Sequence, residues 1–244
     1  MKRALLCLVM VLPPMVHAKA ACMDSAIDER QDQLATGVEP QRRIPTGPPI
    51  WIGDVMRSNG GWSLLFRSDQ PLCTVEARLA GHAIWTRASR SFYGVEFGVS
   101  FADLPEQAQI EVRAVTARGS SLGPYTFPLD AMAALREQEM RTLRTIPRGW
   151  VTIIWHDEGG PFWVMFGTLV SLRCGLREVR YSIDSEAPDQ RLELPPCSFN
   201  DPFSIPNDNK DYLTLRERPQ YVAVQLVYVD GTVSDVVVAR KENR

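Results

Sequence analysis

His82 and His156 are the side chains of this sequence best suited to moving a proton near neutral pH. His82 lies in the turn-like run Ala80-Gly81-His82-Ala83, and His156 precedes the turn-like Asp157-Glu158-Gly159-Gly160. A histidine paired with a carboxylate can work as general acid and base. Neighbours at a strand end point to opposite sides, however, which places His156 and Asp157 badly for a dyad. The sequence has no G-x-S-x-G elbow, no cysteine beside a suitable base and no phosphate-cradling glycine loop. Asn207-Asp208-Asn209-Lys210-Asp211 alternates oxygen side chains as calcium loops do. Tyr212 stands at the sharp-turn glycine position, though, and Arg218 where a bidentate carboxylate is needed. The expectation is a polar turn there, two solvated histidines, no metal, no cofactor and no catalysis.

Cysteine and tryptophan offer the remaining chemistry. Five cysteines are present, and Cys7 falls in a segment built like a secretory signal. That segment has Lys2 and Arg3, an apolar run over residues 4–12, Pro13-Pro14, and Ala18-Lys19-Ala20 as an A-x-A cleavage site. Its apolar run is shorter than the roughly 20 residues a membrane span needs, and no later run approaches that length. Cleavage after Ala20 leaves Cys22, Cys73, Cys174 and Cys197, an even number in an oxidising compartment, which predicts two disulfides. Cys174 with Cys197 and Cys22 with Cys73 are the favoured pairs of three possible connectivities. Lipidation of Cys22 is the alternative, weakened because Lys19 stands where a lipobox has an aliphatic residue. Of six tryptophans, Trp62 and Trp155 alternate with apolar residues and read as core. Trp163 alternates away from Phe162 and Phe166, and Trp85 follows Ile84 between polar residues; these two are the candidates to stack on a sugar ring.

Removing Lys2, Arg3 and Lys19 with the signal takes the formal charge from −2 to −5. A mildly acidic chain without a basic block is not built for nucleic acid.

These residues are carried by period-two patterns. Trp62, Leu64 and Phe66 share a face, as do Val75, Ala77 and Leu79, then Val95, Phe97, Val99 and Phe101, then Ile110, Val112 and Ala114. Such alternation with short turns predicts antiparallel strands with one buried face. The pattern then recurs. Phe162, Val164 and Phe166 echo Trp62, Leu64 and Phe66; Val179, Tyr181 and Ile183 echo Val75, Ala77 and Leu79. The clearest echo pairs Ile110 onward with Val222 onward without a gap, ending in Arg118-Gly119-Ser120 and Asp230-Gly231-Thr232. Between the two halves, residues 129–147 are rich in helix formers, with Asp130 placed to cap and Pro147 to stop a helix. Leu129, Met132, Ala133, Met140 and Leu143 are its expected apolar stripe. Residues 195–209 form a proline-rich insertion in the second half.

Leu104-Pro105, the strand from Ile110 to Val115 and the turn Gly119-Ser120-Ser121 resemble the late strand pair of fibronectin type III and related immunoglobulin-like modules, and residues 215–234 repeat that likeness. The resemblance implies a mainly β chain of two tandem immunoglobulin-like, fibronectin III-like antiparallel sandwiches joined by an α-helix. The expected divisions are a signal at 1–20, a polar linker at 21–49, sandwiches at 50–128 and 148–244, and the helix at 129–147. Modules of this kind share no active site, so the resemblance points to binding. The expected role is an exported, periplasmic or secreted, scaffold that engages another envelope protein. A carbohydrate-binding module using Trp85 and Trp163 is one alternative. A pilus-type chaperone is another, with the strand at residues 95–101 as its edge and Arg113 as a carboxylate anchor; the intervening helix does not fit it.

Overall fold

The computed structural model describes residues 47–90, 96–154, 160–206 and 211–240. The signal-like segment, Cys22 and its lipidation or pairing, Trp155, His156 and the calcium-like run from Asn207 to Lys210 lie outside the described residues. The chain is mainly β, with four antiparallel sheets among the described residues.

The first half contributes β1 (Ile50–Ser58), β2 (Gly61–Ser68), β3 (Leu72–Leu79), β4 (Thr86–Arg87), β5 (Ser89–Arg90), β6 (Phe97–Phe101), β7 (Gln107–Thr116) and β8 (Ser121–Asp130). They order as β1-β2-β6-β5 and β4-β3-β7-β8. The second half contributes β9 (Thr152–Ile154), β10 (Phe162–Met165), β11 (Leu176–Ile183), β12 (Gln190–Leu192), β13 (Tyr212–Leu215), β14 (Val222–Tyr228) and β15 (Val237–Ala239). These order as β9-β10-β13 and β12-β11-β14-β15. The order of the first half therefore recurs in the second, with β9, β10 and β13 standing where β1, β2 and β6 stand.

Alternation is the cause. Along β2, Trp62, Leu64 and Phe66 are buried; along β7, Ile110, Val112 and Ala114 are buried, with Gln109 and Arg113 exposed. Val222, Val224 and Leu226 repeat that burial on β14. Burying each such side chain stabilises the fold by about 1.5–3 kcal/mol. The echoed turns match bond for bond. Thr116 N–H donates to Ser120 O and Gly119 N–H to Thr116 O, both at 2.9 Å; Tyr228 N–H donates to Thr232 O at 2.9 Å and Gly231 N–H to Tyr228 O at 3.0 Å. Gly119 and Gly231 hold φ of +83° and +85°, the left-handed conformation that makes glycine the residue of choice.

Two compact units result. Among the described residues one comprises 47–53, 65–90, 96–99 and 109–127; the other comprises 54–64, 100–108 and the residues from 128 onward. Helix α1 (Ala131–Thr145) belongs to the second unit. Asp130 Oδ1 accepts from Ala133 N–H at 2.8 Å, the N-cap that the sequence predicts. Pro147 opens a short 3-10 turn, after which the Trp150 indole N–H donates to Leu143 O at 2.8 Å. The buried stripe is Ala131, Leu135, Glu139, Met140 and Leu143, whereas Ala133, expected on it, is exposed. The stripe thus runs through a carboxylate. Met140 and Leu143 join the second unit's core with Val164, Phe166, Val179, Val224 and Leu226. A short helix α2 (Gly167–Ser171), which alternation does not foretell, buries Leu169 and Val170.

Among the described residues no helix is long and apolar enough to cross a membrane.

Candidate functional site

The outer face of the sheet β4-β3-β7-β8 carries the densest set of functional side chains in the first unit. Strands β3 and β7 each contain a Glu-x-Arg run, Glu76-Ala77-Arg78 and Glu111-Val112-Arg113. Their antiparallel register sets Glu76 opposite Arg113 and Arg78 opposite Glu111. Pairing two such runs head to tail in this register brings unlike charges together, and both pairs close at 2.6 Å. Directly opposite charges of this kind contribute about 0.2–1 kcal/mol each. The intervening residues, Ala77 and Val112, face the core.

Trp85 lies on this charged square. The Arg78 and Arg113 guanidinium carbons stand 4.3 and 4.4 Å from its ring centroid. Cation–π attraction holds the indole against the sheet. Trp85 is half-buried, and Ile84 beside it in the β3–β4 connection is 80% exposed. Arg113, the expected carboxylate anchor, donates its Nε–H to Glu76 and lies over Trp85.

A pocket of about 450 Å³ opens next to this square, lined by Thr74, Arg87, Arg113, Ser121, Leu122 and Gly123 among others. Gly123 shapes its wall. It holds φ at +83°, and a Cβ there would meet Val112 O at 2.6 Å, so no side chain fits. The chemistry offered is recognition of a polar ligand by guanidinium and hydroxyl groups.

The second unit holds a different cluster. Cys174 and Cys197 form a disulfide with Cα atoms 4.8 Å apart, the predicted pair. Cys73 is also disulfide-bonded. Cys174 is buried and follows Arg173, itself only 3% exposed. Arg173 donates to the carbonyls of Pro196, Val170, Pro202 and Ser204 at 2.7–3.0 Å. A buried guanidinium spends its charge-assisted hydrogen bonds on backbone carbonyls. It thereby pins the proline-rich insertion, which Phe199 also anchors by packing on Trp62 at 5.4 Å between ring centroids. On the helix side, Gly175 N–H donates to Glu139 Oε2 at 2.9 Å, and Glu139 Oε1 has no hydrogen-bond partner among the described residues. Gly175 fits because a Cβ would strike Met140 N at 2.9 Å. Burial outweighs the donated backbone bonds and the nearby Arg173, and pushes the Glu139 carboxyl up to about 7.

The other predicted residues fall as follows. His82 is exposed, and its backbone N–H donates to Leu79 O at 3.0 Å. Trp163 is half-buried on β10, with its ring 6.4 Å from that of Tyr212. Trp85 and Trp163 belong to different units. Among the described residues no three His, Cys, Asp or Glu side chains are grouped to hold a metal ion. Sequence reasoning missed Arg87, Glu76 and Glu111, for which the twin Glu-x-Arg runs were the available signal. It also missed Glu139, signalled by its spacing of four from both Leu135 and Leu143.

No protein-family model matches the chain, and no curated protein is significantly similar to it.

Proposed function

We propose that this chain is a non-catalytic binding or scaffold protein, exported to the periplasm or beyond, that uses two tandem fibronectin III-like sandwiches to engage another protein of the bacterial envelope. The observation that carries this reading is the outer face of β4-β3-β7-β8. A preformed pocket lined by the Thr74 and Ser121 hydroxyls sits beside an indole fixed by two guanidiniums. The recurring strand order supports the tandem sandwich. The signal-like N-terminus and the Cys174–Cys197 disulfide support export, since such bonds persist in oxidising compartments.

The test is a photo-crosslinking amino acid at Ile84 of the full chain, irradiated in the native envelope. A single stoichiometric protein partner is the expected product. Crosslinks to glycan alone, or to nothing, overturn the reading.

A carbohydrate-binding role has one specific observation in its favour. Trp163 and the 41% exposed Tyr212 form an aromatic pair on the sheet β9-β10-β13. Oligosaccharide titration of wild type and Tyr212→Ala decides it, with lost binding in the variant as the supporting outcome.

A further inference from the structure

We propose that the pocket beside Arg87 takes a carboxylate side chain from an extended acidic segment of a partner protein. This deepens the binding reading above and rests on it.

The charges on the face do not cancel. Arg78 and Arg113 are neutralised by Glu111 and Glu76. Arg87 lies directly across from Glu76 in the β3–β4 register, but Glu76 Oε2 already accepts from Arg113. Arg87 is exposed and forms no ion pair among the described residues. It is the surplus cation of the pocket. Thr74 and Ser121 line the same space, and their hydroxyls make no hydrogen bond to described residues. A planar guanidinium with two spare hydroxyl donors suits a carboxylate, which accepts bidentate bonds.

The surroundings choose a peptide. Val115 and Leu122 add aliphatic surface to the lining. An extended peptide turns alternate side chains to one side. One acidic side chain can therefore reach Arg87 while the residues two positions away lie along Val115 and Leu122. An acidic sugar would want a bare aromatic face, and the ring nearest to hand already carries two guanidiniums.

The experiment titrates the full chain with a capped pentapeptide, Val-Thr-Asp-Thr-Val, and with its Asn counterpart. Wild type, Arg87→Gln and the control Arg118→Gln are compared, the last altering an exposed turn outside the pocket. The Asp peptide is expected to bind wild type and the control about tenfold more tightly than the Asn peptide. Arg87→Gln is expected to abolish that preference without changing the thermal transition, and high salt to shrink it. No peptide binding at millimolar concentration overturns the proposal. So does equal binding of both peptides, a preference that survives Arg87→Gln, or Arg87-dependent binding of an oligouronate in place of the peptide. Crosslinking from Ile84 separates the two levels. A partner recovered equally well with Arg87→Gln overturns the carboxylate contact alone, whereas no protein partner overturns the binding reading itself.

Discussion

Replacing Glu139 with glutamine is expected to remove a pH dependence from the second unit. The carboxyl is fully buried, and its value rises from 4.5 to about 7 in the folded protein. The folded state therefore holds a proton that the unfolded chain has already released. The stabilisation is complete below about pH 4.5 and is lost as pH rises through about 7. Holding the proton that much more tightly corresponds to about 3 kcal/mol. Glutamine keeps the length of the side chain and an oxygen for the Gly175 N–H, but it cannot ionise. Its amide N–H groups enter the space around Oε1, where no partner waits among the described residues, at a constant cost of about 1–3 kcal/mol. The level of stability is thus ambiguous, and the slope with pH is diagnostic. Native-state hydrogen exchange of the β14 amides, which lie in the same core as Met140 and Leu143, measures it for this unit alone. Relative to the variant, wild type loses about 3 kcal/mol between pH 4.5 and 8. Parallel profiles for the two proteins would refute the reasoning, because a carboxyl that ionises freely in the folded state cannot be buried without a counter-charge.

Other substitutions test other parts of the fold. Replacing both Cys174 and Cys197 with serine opens a loop with a sequence separation of 23 and is expected to cost about 3 kcal/mol in urea denaturation. Arg173→Met leaves four backbone carbonyls without their buried donor; it is expected to destabilise by more than about 3 kcal/mol and to expose residues 195–206 to limited proteolysis. Gly119→Ala costs about 1 kcal/mol of backbone strain, since nothing lies within 4 Å of the added methyl. Gly61→Ala, by contrast, is expected to cost several times that in thermal denaturation, because its Cβ would stand 2.4 Å from Phe101 O.

The sequence by itself determined what depends on near neighbours. Alternation along Trp62-Ser63-Leu64-Leu65-Phe66 and from Ile110 to Ala114 decided which side chains turn inward, because successive residues of a strand face opposite ways. Asp130 decided where α1 begins, and Gly119 and Gly231 decided where the two echoed turns fall, since caps and left-handed turns act over three or four residues. Only the tertiary structure decided the rest. Glu76 meets Arg113 because a strand from 37 residues away lands in one register rather than the next. Arg87 is left without an ion pair among the described residues by the same choice. Glu139 reads as one more charge on a polar helix until the turn at Gly175 closes over it, a contact that spans 36 residues. Register and burial are set by the free energy of the whole assembled core, which no short window of sequence contains.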